Sequence, residues 1–297
     1  MAVLSLENIH RSFGADRAAL RGVSLAANKG EVLGLIGKNG AGKITLIKIA
    51  LGLLHADQGS VKVFGLDPWE HPVEVKRRVG FVPEDENVFV KAKIQQLLDL
   101  HSALYPSWDG QLAARLLGPL ARDPSARLDK LSKGQARRVM LTCAMAHRPE
   151  LLLLDEPAGG LDPSSRREFL ELAIELLNDT GSTIVFSSHH MGDIERIAGR
   201  VVIIDEGLKL VDQELDVLKE GFCVALLPSL DAEQLAALAS VPGFVRQRSA
   251  GNGVQAVIAD SPEAASARLA ERLGLSGVRC VRTNLEELFV NLVGGER

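Results

Sequence analysis

Long apolar runs are missing from this chain. No stretch approaches the roughly 20 consecutive apolar residues of a membrane helix, so no span is expected. The start, Met1-Ala2-Val3-Leu4-Ser5-Leu6-Glu7, lacks the basic opening and long apolar core of a secretory signal. Positive charge is not in excess. With 34 Lys and Arg against 38 Asp and Glu, the net charge is −4, which implies no general attraction to nucleic acid or anionic lipid. Cysteine is scarce. Cys143, Cys223 and Cys280 are scattered, mostly among apolar neighbours. They read as small buried side chains in a reducing compartment, which excludes a disulfide framework or a cysteine metal site. What is present is a 297-residue chain, 46% hydrophobic and 24% charged. That composition suits a soluble globular protein with a large core and more than one domain. The expected location is the cytoplasm, with attachment to a membrane partner left open.

The densest signal is Gly37-Lys38-Asn39-Gly40-Ala41-Gly42-Lys43-Ile44-Thr45. It follows Glu31 to Ile36, which reads as a buried strand, and precedes Leu46 to Leu51, which reads as a helix. Strand, glycine-rich loop, lysine and helix form the context of a phosphate-binding loop. The glycines let the backbone turn tightly and aim its N–H groups inward. The helix start adds partial positive charge. Lys43 then reaches the outer phosphates of a nucleotide. Position 44 departs from the pattern, which has Ser or Thr there because the hydroxyl is a ligand of Mg²⁺. Ile44 cannot coordinate a hard cation, and a water would have to take that place. Thr45 faces about 100° away on a helix and is not an obvious substitute. Nucleotide binding and Mg²⁺-dependent hydrolysis are therefore separate expectations.

In chain order, Val3 to Ile9 and Leu20 to Ala26 predict an antiparallel hairpin turning at Gly14-Ala15-Asp16. Phe13, just before the turn, is either a core aromatic or a face on which adenine stacks. Strands follow at Val61–Phe64 and Val79–Val82, the second ending at Pro83-Glu84. Helical patterns run from Ile94 to about Leu120, interrupted at Tyr105–Asp109, and from Gly134 to Ala146. This stretch reads as a helical insert within the nucleotide core. The dibasic pairs Arg77-Arg78, Arg137-Arg138 and Arg166-Arg167 read as solvated helix faces. Leu151 to Leu154 is a strand that needs cover on both faces, as in a parallel sheet. It ends in Asp155-Glu156-Pro157. Thr183 to Ser187 is the next strand, ending at Ser188-His189, and Val201 to Ile204 another. Alternating strands and helices argue for a parallel α/β core, whose ligands bind at the carboxyl ends of strands. Gly37, Glu84, Asp155 and His189 all fall just past strand ends, so one site could collect them. Taken singly, Asp155-Glu156 could be a solvated turn and His189 a structural residue.

From about residue 221 the pattern changes to β-α-β-β-α-β, with a hairpin around Gly251-Asn252-Gly253 and a last helix from Leu285 to Val293. This order suggests a small ferredoxin-like unit. Regulation, dimerisation and partner docking are open roles for it.

Leu131-Ser132-Lys133-Gly134-Gln135 opens a helix ahead of the acid pair. With it, residues 1–220 resemble the ATP-binding subunit of a bacterial ABC transporter, of the exporter-type branch with separate permease chains. Five motifs stand in the family's order and spacing. The fold this implies is α/β: a P-loop NTPase core with an antiparallel β subdomain and a helical subdomain at about 84–148. The small C-terminal α+β domain covers 221–297. Phe13 resembles the adenine-stacking aromatic, and Gly37 to Thr45 the Walker A loop. Glu84 stands where the family usually has glutamine, in the loop that touches Mg²⁺ and the membrane subunit. Ser132 and Gly134, with Gln135, resemble the signature that grips the γ-phosphate of ATP bound to the opposite subunit. Lys133 stands where that signature has glycine. Asp155 resembles the Walker B acid that holds Mg²⁺, with Glu84 as a second candidate ligand. Glu156 resembles the general base, Gly160-Leu161-Asp162 the loop at the dimer interface, and His189 the switch histidine. The resemblance implies ATP and Mg²⁺ as cofactors, a second ATPase subunit, identical or not, and integral membrane permease subunits as partners. No nucleic-acid partner is expected. It also implies an ATPase at the inner face of the membrane; the departure at Ile44, which removes a metal ligand, makes a reduced rate the expectation. The alternative is a degenerate, weakly or non-hydrolysing partner in a heterodimer. A soluble ribosome- or DNA-acting relative is disfavoured by the single cassette and by the lack of heptad runs.

Overall fold

The computed structural model describes residues 2–14, 18–84, 91–251 and 253–293. They fall in two compact units, 1–209 and 210–297, a division that comes ahead of the pattern change expected near 221. The elements of the first unit open with strands β1 (Ala2–Ser12), β2 (Ala18–Asn28) and β3 (Val32–Ile36), then helix α1 (Lys43–Ala50), strand β4 (Gln58–Val63), helix α2 (Pro72–Arg77) and strand β5 (Val79–Val82). Helices α3 (Ile94–Leu104), α4 (Gly110–Leu117) and α5 (Lys133–Met145) follow, with short 3-10 turns between α4 and α5. The alternation resumes with β6 (Leu151–Leu154), α6 (Pro163–Thr180), β7 (Thr183–Ser188), α7 (Met191–Ile197), β8 (Arg200–Asp205) and β9 (Leu208–Glu214), in which the division between units falls.

β1 pairs antiparallel with both β2 and β4, giving a three-stranded sheet in the order β2-β1-β4. Ala15 and Asp16 of the expected hairpin turn lie outside the described residues. The second sheet has the order β5-β6-β7-β3-β8-β9, and its pairs from β5 to β8 are parallel. Leu151, Leu152, Leu153 and Leu154 are each at most 1% exposed. This is the two-sided cover that a continuous leucine run demands. Each such side chain contributes about 1.5–3 kcal/mol relative to exposure. β1, β2, β3 and α1 share one core, which includes Leu4, Ile9, Leu35 and Leu46. The helical segment has its own small core of Ile94, Leu97, Leu117, Leu128, Val139 and Cys143.

The second unit contains α8 (Leu215–Glu220), β10 (Cys223–Pro228), α9 (Ala232–Ala239), β11 (Phe244–Ala250), β12 (Gly253–Ile258), α10 (Pro262–Leu273), β13 (Arg279–Arg282) and α11 (Leu285–Leu292). Its sheet runs β11-β12-β10-β13, and its neighbouring strands pair antiparallel. That is the ferredoxin-like arrangement. Asn252 in the expected β11–β12 turn lies outside the described residues. Among the described residues no helix is long and apolar enough to cross a membrane.

Candidate nucleotide site

Strand order assembles the site. β5, β6, β7 and β3 are neighbours and parallel, so their carboxyl ends stand in one row. Glu84 follows β5, Asp155 and Glu156 follow β6, His189 follows β7 and Gly37 follows β3. This is the edge of an α/β sheet where ligands bind.

At the end of β3 the chain turns through residues 37–42 into α1. A Cβ on Gly37 would stand 2.5 Å from the Ile204 carbonyl oxygen, so only glycine fits there. Gly42, at φ 112°, caps the helix without a side-chain hydrogen bond, and the first turn of α1 holds no acid. The leading N–H groups of α1 therefore have no side-chain partner of the kind that usually satisfies them. They open beside a cavity of about 390 Å³, within the size range of small-molecule sites. Phe13, Asn39, Gly40, Gly42, Lys43, Ile44, Thr45, Glu84, Asp155 and Glu156 all line it. Ala41 is buried at 3% exposure, under the loop. Phe13 is 46% exposed, with the Arg11 guanidinium 5.1 Å from its ring centre. It offers a ring face rather than core packing. Ile44 packs against the core while also lining the cavity. Thr45 lines the cavity too, despite the turned-away placement expected for it.

Lys43 is 6% exposed. Its Nζ donates to the Gly37 carbonyl at 2.6 Å and lies 3.4 Å from Glu156 Oε1. Glu156 Oε2 accepts from His189 Nδ1 at 2.7 Å. The Glu156 backbone sits at φ 45°, a left-handed conformation costly for a non-glycine residue and typical of functional sites. Burial first, and the Glu84 and Glu156 carboxylates after it, raise the Asp155 pKa against a lowering hydrogen bond from Ser187. A divalent cation would relieve this crowding of acids, so the residues fit the expected Mg²⁺. Among the described residues no three His, Cys, Asp or Glu side chains form a self-sufficient cage.

Ser132, Gly134 and Gln135 are not brought to this cavity. They line a separate cleft of about 210 Å³ beside Arg138, Ser165 and Glu168. Ser132 caps α5 by accepting from the Gln135 backbone at 3.2 Å. Gln135 Oε1 returns the bond by accepting from Ser132 N at 2.9 Å, a capping box. Asp162 caps α6 by accepting from the backbone of Ser164 and Ser165.

Two residues of the site were not foreseen. Ser187 Oγ donates to Asp155 Oδ1 and accepts from the Glu156 backbone N–H, each at 2.8 Å. It thereby holds both acids. The available signal was a serine ending an apolar strand one step from β6. Arg137 corrects the reading of the dibasic pairs as solvated faces. It is 2% exposed, and its guanidinium donates to the Pro83 and Glu84 carbonyls, the latter at 2.8 Å. It belongs to the buried face of α5 with Leu141 and Ala144, at helical spacing. Arg138 is engaged as well, donating to Leu116 O and pairing with Glu168.

The family model for the ABC transporter matches residues 20–159. Nod factor export ATP-binding protein I of Burkholderia orbicola (strain AU 1054) is 31% identical, over 100% of this chain and 98% of that protein. ABC transporter ATP-binding protein YtrB of Bacillus subtilis (strain 168) is 30% identical, over 99% of each. A solved ATP-binding subunit of an ABC transporter superposes with a TM-score of 0.65 at 28% identity, over 73% of this chain and 92% of that one. The two curated relatives match this chain over essentially its whole length at 30–31% identity, and the chain belongs to the ATP-binding subunits of the ABC transporter family.

Proposed function

We propose that this chain binds ATP with Mg²⁺ in the cradle at α1 and hydrolyses it to drive transport through separate membrane permease chains. The observation that carries the reading is Glu156, buried at 4% exposure between Lys43 and His189 beside that cradle. Phosphoryl transfer asks the protein mainly for positioning and charge neutralisation. The leading N–H groups of α1 and the Lys43 ammonium hold the phosphates, and Phe13 stacks on adenine. Glu156 orients the attacking water and accepts its proton. His189, already hydrogen-bonded to Glu156, senses the γ-phosphate. Mg²⁺, when bound, neutralises phosphate charge, and Asp155, with Glu84 nearby, would hold it.

Ser132 and Gly134 share no lining residue with the cradle. On this reading they serve a nucleotide held by a second ATPase subunit, and two subunits enclose two ATP molecules head to tail. ATP closes the pair because it binds the closed state better, the requirement for any ligand switch. The 84–148 helical segment transmits closure to the permease and keeps the chain at the cytoplasmic face of the membrane. The ATPase domain is taken as 1–220, with an accessory domain beyond. Export is the direction we assign, in keeping with the name of the Burkholderia relative.

Ile44 favours a second reading, in which the chain binds ATP but leaves most hydrolysis to a different partner subunit. ATPase assays of the purified chain with and without Mg²⁺ separate the two. A Mg²⁺-dependent rate abolished by Glu156→Gln supports the first. Nucleotide uptake without turnover supports the second. No uptake of adenine nucleotide by calorimetry overturns both.

A further inference from the structure

The second unit holds two of the chain's three cysteines. Cys223 begins β10 and Cys280 lies in the edge strand β13. The strands are antiparallel, with Cys223 opposite Arg282 and Ala225 opposite Cys280. Residues 223, 225 and 280 therefore project from one face of the sheet, since side chains alternate along a strand. That face is the core packed under Leu238 of α9 and Leu269 of α10. The cysteines form a diagonal pair, and the right-handed twist of neighbouring strands draws one diagonal of each such quartet together. The two thiols are near enough for each to shift the pKa of the other. Cys223 is fully buried and Cys280 partly exposed, and both are free thiols.

We propose that Cys223 and Cys280 close reversibly into a disulfide that clasps β13 to β10 when a small disulfide such as oxidised glutathione is present. This site goes beyond the ATPase reading and does not depend on it. The two thiols differ in the way a two-step exchange needs. Cys280 is the partly exposed thiol, its neighbour Cys223 lowers its pKa, and the thiolate is the attacking form. Cys280 beside it, and then burial, hold the Cys223 thiol up. In the first step the Cys280 thiolate attacks one sulfur of oxidised glutathione. The S–S bond breaks, and one glutathione leaves as a thiolate that takes up a proton. In the second step Cys223 gives its proton to solvent and attacks the Cys280 sulfur of the mixed disulfide, expelling the second glutathione. Two protein thiols are oxidised and one glutathione disulfide is reduced to two thiols. A single exchangeable bond of this kind is compatible with a reducing compartment, where disulfides are transient and redox-sensing. Its mechanical effect falls on β13, a four-residue strand with a ladder partner on one side only.

The test incubates the purified full chain with oxidised glutathione, followed by mass spectrometry and alkylation of the unfolded product. The expected result is a chain lighter by two hydrogens, with one linked peptide pair joining Cys223 and Cys280. Two of the three thiols become unreactive to alkylation, and dithiothreitol restores them. Amide exchange over Arg279–Arg282 slows several-fold in the oxidised chain. Cys143→Ser keeps the link, and Cys280→Ser abolishes it. Cys223→Ala, made at the buried position, also abolishes it. If that variant does not fold, Cys280→Ser at the partly exposed position gives the same reading. A stable glutathione adduct on Cys280 with no link, a link through Cys143, or three persistently free thiols would each overturn the proposal.

Discussion

His189 Nδ1 stands 2.7 Å from Glu156 Oε2. A carboxylate only accepts, so the imidazole donates across the gap between the ends of β7 and β6. The other carboxylate oxygen is 3.4 Å from Lys43 Nζ. One acid thus joins the first residue of α1 to the histidine just past β7.

The first prediction concerns that acid. Glu156→Gln keeps the side-chain volume and removes the proton acceptor. ATP turnover should fall by about 10²–10⁴-fold, with nucleotide affinity nearly unchanged. Steady-state ATPase and calorimetry on the same preparation check this. An equal loss of affinity and turnover would remove Glu156 from the role of base.

Ile44→Ser places a hydroxyl where an apolar side chain now lines the cavity. If the hydroxyl acts as a hydrogen bond to a charged group, about 1.5–3 kcal/mol is at stake, or roughly tenfold to hundredfold. Turnover should rise, and less Mg²⁺ should be needed to saturate it. A Mg²⁺ titration identical to that of the parent chain would exclude position 44 as a brake.

Ser187→Ala strips a partner from Asp155 Oδ1 and from the Glu156 N–H. Leaving buried groups unsatisfied costs about 1–3 kcal/mol, readable as a lower urea midpoint. Because both acids lose their anchor, kcat should drop more than ATP affinity.

Arg137→Met keeps the apolar stem in the core and releases the Pro83 and Glu84 carbonyls. The stability loss should be about 1.5–3 kcal/mol for each lost bond to the guanidinium. Arg137 acts through the Glu84 backbone, so the Mg²⁺ dependence of turnover should also weaken. Lower stability with an unaltered Mg²⁺ profile would make it a structural residue alone.

His147 is 1% exposed and stacks on Tyr105 with ring centres 3.9 Å apart. Burial pushes its pKa down from 6.5 to about 4. Between those values the unfolded chain takes up a proton that the folded chain refuses, so stability falls as the pH falls. The contribution is complete above about pH 6.5 and is lost progressively toward about pH 4. It amounts to about 3 kcal/mol at 1.36 kcal/mol per unit. Urea unfolding across this range should show the slope, and His147→Phe, which preserves an aromatic stack, should reduce it.

Much of the local structure was legible. The helix at residues 133–145 announces itself through Ser132 and Gln135, because a capping box closes within four residues. β6 is legible in four consecutive leucines, because only a doubly covered strand tolerates them. α2, β9 and α8 were missed. α2 has a single buried residue, Val75, and β9 alternates weakly, so neither carries a strong period. Arg137 was misread because a charged pair suggests solvent. Its burial rests on two carbonyls supplied by another part of the chain.

By itself the sequence determined the glycine-rich turn between β3 and α1 and most of the succession of strands and helices. Glycine spacing, side-chain alternation and helix starts are interactions among near neighbours, and they leave their mark in order along the chain. Only the tertiary structure decided that β3 lies beside β7, and that β5, β6 and β7 follow in a row. That order brings Glu84, Asp155 and Glu156 to the cavity at α1 and His189 to Glu156, while it leaves Ser132 and Gly134 in another cleft. Strand neighbours are chosen by packing between segments far apart in sequence, and no short window of residues records that choice.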